Sequence, residues 1–165
     1  MGSIVTKTTD LKREIITTAD GSHSLYVPDL DEHYHSYHGS IKESQRVFIT
    51  LGLEFVAQEK EGVAILEVGM GTGLNVLMTA LANEGLKKNI RYDAIEAFPL
   101  EDELLNQLNF VDQLLHPSAT ELFEAIHLAP WNEGTAITDL FVLTKIEAPI
   151  EAIDFSPEQY DLIYF

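Results

Sequence analysis

The chain has 165 residues and no cysteine, with 45% hydrophobic residues and a formal charge of −17. That length supports one domain with a sizeable core. Without cysteine there are no disulfides and no thiolate-ligated zinc. The negative charge repels phosphate, and bulk charge therefore argues against nucleic acid as a partner. No window approaches 18 uninterrupted apolar residues and the N-terminus lacks an apolar signal region, so no membrane span is expected, while the absence of cysteine fits a cytoplasmic location.

Residues 1–10 read as a loose polar start. Asp20-Gly21 between β-prone runs is a hairpin signal, predicting antiparallel strands over Glu14–Thr18 and Ser24–Val27. His33-Tyr34-His35-Ser36-Tyr37-His38-Gly39 follows. A metal site using His35 and His38 would lack an acidic or cysteine partner at a familiar spacing, so no metal is expected. The loop is expected instead to fold over a ligand mouth, where Tyr and His stack on bases and donate hydrogen bonds. Ser40-Ile41-Lys42-Glu43 has the form of a capping box. The helix after it is predicted to turn Val47, Phe48, Leu51 and Phe55 toward the core, with Gly52 weakening it.

Val63–Val68 is an apolar run too short for a helix and reads as a buried strand, interrupted only by Glu67 near its end. Gly69, Gly71 and Gly73 follow at alternate positions. Leu74, Leu77, Met78 and Leu81 then recur at helical spacing, with Gly85 as the expected left-handed cap. A strand, a glycine turn and a helix N-terminus form a place where a ligand approaches backbone closely. The G-x-G-x-G spacing differs from both the dinucleotide fingerprint and the P-loop. A carboxylate at Glu67 suits a cationic ligand better than a phosphate. The pattern E-x-G-x-G-x-G resembles motif I of S-adenosylmethionine methyltransferases. There the loop cradles the methionine end of the cofactor.

Arg91–Glu96 reads as a second strand ending in an acid, and in nucleotide-binding α/β folds such an acid accepts from ribose hydroxyls. Pro99 and the acids Glu101, Asp102 and Glu103 open a predicted helix with Leu104, Leu105, Leu108, Val111, Leu114 and Leu115 on its apolar face. Ser118–Glu121 forms a second capping-box pattern before Leu122, Phe123 and Ile126. Trp131–Gly134 reads as a turn, Phe141–Ile146 as a third strand and Asp161–Phe165 as the start of a fourth. Alternating strands and helices imply a parallel sheet with right-handed crossovers.

Four segments carry a family resemblance: Thr18-Ala19-Asp20-Gly21-Ser22; His33-Tyr34-His35-Ser36 with Gly39, Glu43-Ser44 and Val47-Phe48-Ile49; Glu67 through Asn75; and Tyr160 through Phe165. Together they resemble the MnmC/MnmD-type tRNA 5-methylaminomethyl-2-thiouridine methyltransferase domain. The likeness covers most of residues 12–165. It implies a Rossmann-like class I S-adenosylmethionine methyltransferase fold, truncated after the fourth strand and carrying an N-terminal β-hairpin. Residues 1–60 would be the hairpin, aromatic loop and helix extension, and 61–165 the N-terminal half of the cofactor-binding domain. The implied activity is methylation of the 5-aminomethyl group of wobble 2-thiouridine in tRNA, in a domain that occurs alone or fused to a flavin oxidase.

Glu67, Gly69, Met70, Gly71, Gly73, Asn75, Glu96 and Phe98 would meet the cofactor. Tyr34, His35, Ser36 and Glu43 would line the substrate mouth. The family's catalytic aspartate would follow Phe165, so no catalytic residue is expected within the chain. Where the family often has an acid near the adenine, Pro149 stands here, with Asp154 as a candidate substitute. The 165-residue chain is accordingly expected to be inactive on tRNA and to self-associate through the edge of its last strand. Two other readings fit the residues: a methyltransferase of a small amine, favoured by the acidic charge, and a non-catalytic module keeping a cofactor-like pocket.

Overall fold

The computed structural model describes residues 11–165; the polar start over residues 1–10 lies outside the described residues. Two sheets organise the described residues. The first is antiparallel: β1 (Glu14–Thr17), β2 (His23–Val27) and the short β3 (Glu32–His33). The expected hairpin is present, with Glu14 opposite Tyr26 and Thr17 opposite His23, and β3 extends it.

The second sheet has five strands in the order β6-β7-β5-β4-β8. They are β4 (Gly62–Val68), β5 (Asn89–Glu96), β6 (Gly134–Thr138), β7 (Phe141–Glu147) and β8 (Leu162–Tyr164). β4, β5, β7 and β8 run parallel, while β6 pairs antiparallel with β7. β6 is absent from the sequence reading, because Gly134-Thr135-Ala136 has little apolar weight and only its pairing with β7 holds it extended.

Helix α1 covers residues 40–57. It opens as an α-turn over Ser40–Glu43, continues as a π-helix over Ser44–Leu53 and returns to α over Glu54–Ala57. The π stretch overturns the predicted core face. Ile49, Leu53 and Ala57 are buried, whereas Val47, Leu51 and Phe55 are exposed. An α-helix places residues five apart about 140° around its axis. The i→i+5 bonding of a π-helix rotates that phase, so Ser44 and Ile49 share the inner face. Phe48 keeps a half-buried place against the core.

Helix α2 (Leu74–Leu86) runs through Gly85 instead of stopping there. Lys87, with φ of 56°, is its left-handed cap, and Asn83 fixes the exit by pairing its amide with both backbone groups of Lys88. The single long helix expected after Pro99 is two short ones, α3 (Asp102–Leu105) and α4 (Phe110–Leu114). Asn109 explains the break. Its side chain accepts from His23 N at 2.8 Å and donates to Gly21 O at 2.9 Å, tying the interruption to the hairpin. Helix α5 (Ala119–Leu128) begins at Ser118 without a side-chain cap, so the second capping box does not form.

One core joins these parts. Ile49 and Leu53 of α1, Leu74 and Leu77 of α2, Ile126 of α5, and Val63, Ile65, Tyr92, Leu143 and Tyr164 of the sheet belong to a single buried cluster. β8 sits beside β4 while β5 lies on its other side, so the chain reverses direction across the sheet at β4. Ligands in open α/β sheets bind beyond the carboxyl ends of strands at such a switch point.

Candidate functional site

A cleft of about 500 Å³ opens at that point. Its floor is Glu67 to Thr72, its walls are Tyr164 and Phe48, and its roof is the loop His33–Tyr37. The volume lies within the range of small-molecule sites.

Glu67 ends β4 on the helix-covered face and is 2% exposed. It accepts from Tyr92 Oη at 2.8 Å and from Asn75 Nδ2 at 3.0 Å. Burial pushes its carboxyl up to about 8 against the pull of these two donors, and the nearby Glu96 adds to the rise. Tyr164 stands edge-on to Tyr92 with ring centroids 5.9 Å apart, and Phe48 packs on Tyr164 at 4.9 Å. An aromatic wall therefore keeps Glu67 from bulk water on one side.

The three glycines do different work. Gly69 has φ of 83° and no atom within 4 Å of where a Cβ would stand, so this position is open to a ligand. At Gly71 a Cβ would sit 2.9 Å from the Tyr34 ring. The close approach there is made by the roof of the cleft, and a larger residue would strike Tyr34 before any ligand. At Gly73 a Cβ would meet His127 at 3.0 Å, behind the turn and away from the cleft.

Glu96 accepts from Gly71 N at 2.9 Å and from Phe98 N at 2.9 Å. It is thus brought against the glycine turn, on the far side of Gly71 from Glu67, where it borders a small cavity with Met70, Lys145 and Trp131. The Gly71 N–H is turned to this carboxylate, which removes it from any anion cradle. Phe98 does not line the main cleft. It stands 40% exposed beside Arg13, Trp131 and Glu147, over the ends of β5 and β7.

The roof is held by several bonds. Arg13 Nε donates to Tyr34 Oη at 2.9 Å, and Tyr34 N donates to Leu25 O. His35 N donates to Ser24 Oγ, and burial lowers the His35 imidazole to about 4, so it is neutral at physiological pH. Ser36 N donates to Glu43 Oε2 at 2.7 Å. This corrects the capping box: Glu43 reaches the aromatic loop, not the N-cap backbone, and Ser40 Oγ instead donates to His23 O. The loop lines the cleft. Among the described residues no group of three His, Asp or Glu side chains is placed to hold a metal ion.

A cationic small molecule fits the chemistry of this lining. The open Gly69, Glu67 and Thr72 border the cleft, and Thr72 Oγ1 is buried with no hydrogen-bond partner among the described residues. Sequence reasoning missed Tyr92, Tyr164 and Ser44 as parts of the site. The strand period does put Tyr92 on the same face as Ile90 and Ala94, and the register sets Tyr164 directly beside Glu67.

The architecture is a Rossmann-like α/β sheet with an acid-glycine turn at its switch point. No family model matches the chain. It is similar to the tRNA 5-methylaminomethyl-2-thiouridine biosynthesis bifunctional protein MnmC of an Acidovorax species, with 25% identity over 128 residues, 71% of this chain and 20% of the relative. The protein of the same name from Magnetococcus marinus is 30% identical over 105 residues, 61% of this chain and 16% of the relative. The crystal structure of MNMC2 from Aquifex aeolicus shares the fold, with a TM-score of 0.65 and 24% identity over 89% of this chain and 47% of that one. The chain spans a fifth or less of the length of these curated relatives.

Proposed function

We propose that this chain is the cofactor-binding part of an S-adenosylmethionine-dependent methyltransferase that modifies tRNA. Its acceptor is the 5-aminomethyl group of a wobble 2-thiouridine. The observation that carries the reading is Glu67: a buried carboxylate near the end of β4, beside an open Gly69. The similarity to proteins named for this tRNA modification supports it.

In this reading S-adenosylmethionine supplies an electrophilic methyl group on a sulfonium, so the protein needs no nucleophile of its own. Glu67 faces the cationic end of the cofactor, Gly69 admits its backbone and Thr72 Oγ1 offers a free hydroxyl. Met70 and Asn75 complete that wall, and Glu96 meets the ribose from beyond Gly71. Gly71 and Gly73 shape the turn, and Phe98 borders the adenine side. Tyr34, His35, Ser36 and Glu43 line the mouth through which a neutral amine enters, and the chemistry is largely positioning. A neutral His35 takes no proton from the amine's surroundings and adds no repelling charge. A flavin oxidase, fused or separate, fits as the partner supplying the aminomethyl group, and the cytoplasm is the proposed location.

The charge of −17 favours a second reading, methylation of a small cationic amine. Calorimetric titration with S-adenosylmethionine, followed by methyl transfer from labelled cofactor to undermodified tRNA or to polyamines, separates the two. Cofactor binding with transfer to tRNA supports the first and transfer to polyamines the second. No cofactor binding overturns both.

A further inference from the structure

Three elements meet at one amide. Ser44, fully buried in the π-helical stretch of α1, donates from Oγ to Asn75 Oδ1 at 2.8 Å. Asn75, in the first turn of α2, donates from Nδ2 to Glu67 Oε1 at 3.0 Å. Tyr92 Oη donates to Glu67 Oε2 at 2.8 Å, so each carboxylate oxygen holds one donor. An asparagine amide has a donor end and an acceptor end. Turned over, Asn75 would present its oxygen to Glu67, an arrangement that pairs only with a protonated carboxyl. An ionised Glu67 selects the nitrogen end, and the Ser44 hydroxyl, donating to Oδ1, tethers the amide in that place.

We propose that Ser44 is a positioning residue: its bond to Asn75 Oδ1 tethers the amide within reach of Glu67 and so keeps that carboxylate oriented to receive a cationic group in the cleft. This rests on the reading of Glu67 as the acid that faces the cofactor.

The surroundings make the donors matter. Facing Glu67 or bordering its cleft are Tyr92 and Glu96 from β5 and its end, Tyr164 from β8, Glu43 from α1, and His33, Tyr34, His35 and Tyr37 from the roof. Among the described residues no lysine or arginine lines the cleft, and His35 is neutral because burial lowers it to about 4. Burial raises Glu67 to about 8, and its two hydrogen-bond donors oppose the rise. Those donors favour the ionised form, as would an arriving cation. The π-helix is what delivers Ser44: the five-residue step to Ile49 puts both on the inner face, where an α-helix would turn one outward.

The test is Ser44→Ala, read first without cofactor. The Glu67 carboxyl is followed by carbon NMR through a pH titration, with Glu67→Gln fixing the assignment. Loss of the Ser44 donor frees the amide, and the Glu67 midpoint is expected to rise by about half a pH unit. Calorimetry with S-adenosylmethionine is then run across the same range. Because the cation binds the ionised form, affinity falls below the midpoint, and Ser44→Ala is expected to bind about threefold more weakly at pH 7 yet equally at pH 9. Should Ser44→Ala fail to fold, Ser44→Cys keeps the volume with a weaker donor and is expected to move the midpoint the same way by less. An unchanged Glu67 midpoint, or weaker cofactor binding that is the same at every pH, overturns the positioning role. A shifted midpoint with no cofactor binding in the unaltered protein upholds the clamp and overturns the cofactor reading instead.

Discussion

Helices α1 and α2 both begin at a glycine and both begin beside the same cleft, but their first turns are finished in opposite ways. At α1 the loop of the hairpin supplies the partners: Ser40 N donates to Thr18 Oγ1, Ile41 N to Ser22 Oγ and Lys42 N to Asp20 Oδ2 at 3.0 Å. At α2 the N-cap is Gly73, and no side chain caps the helix. A capped helix end is spent on the protein itself, whereas an uncapped one keeps N–H groups and a positive dipole end for something else. Two glycine-bearing motifs, Thr18–Ser22 and Gly69–Gly73, therefore divide into scaffold and site.

The comparison breaks most sharply at Gly39. A Cβ there would run into the Asp20 carboxylate, and φ is 141°. Gly39→Ala is expected to cost about 3 kcal/mol or more in urea unfolding, because either the cap or the backbone must give way. Asp20→Ala removes the cap without the clash and is expected to cost about 2 kcal/mol. Its pH dependence has a definite sign. Partial burial raises the Asp20 carboxyl, but the hydrogen bonds from Ser22, Lys42 and Thr18 outweigh that and hold it at about 2, below its ordinary 3.8. The folded pKa is depressed, so the ionic part of the stabilisation is present above pH 3.8 and is lost as pH falls toward 2. The gap between the unaltered protein and Asp20→Asn is expected to narrow across that window.

On the site side, Gly69→Ala meets nothing within 4 Å, and its stability cost is only that of φ at 83°, about 1 kcal/mol. Its effect belongs to binding: affinity for S-adenosylmethionine is expected to fall tenfold or more by calorimetry, far out of proportion to the stability change. Equal losses at Gly39 and Gly69 in both measurements would erase the distinction between scaffold and site.

What the sequence made legible follows from local signals. Asp20-Gly21 announced its hairpin, and the acid-glycine turn announced the strand, the switch-point cleft and the place of Glu67. What escaped it depends on partners distant in the chain. The π phase of α1 cannot be read from a 3.6-residue period, so Val47, Leu51 and Phe55 were assigned inward and are exposed. The interruption between α3 and α4 depends on Asn109 finding Gly21 and His23. The cap of α1 comes from residues about 20 positions earlier, while the adjacent Ser40 and Glu43, which fit the local rule, turn elsewhere.

Ser118 gives the smallest and cleanest check of that lesson. Ser118-Ala119-Thr120-Glu121 matches the capping-box pattern as well as Ser40-Ile41-Lys42-Glu43 does. Yet Ser118 has φ of −89° and ψ of −3°, and its side chain caps nothing. A capping serine takes an extended backbone that aims its hydroxyl at the second or third amide of the helix. Here the backbone has already entered the helical region, and Ala119 N donates to His116 O instead. With no hydrogen bond to lose, Ser118→Ala is expected to change unfolding stability by less than about 0.5 kcal/mol. A loss near the 2 kcal/mol expected at Asp20 would mean that the serine does cap α5, and that local pattern, not geometry, marks the helix ends that the protein keeps for itself.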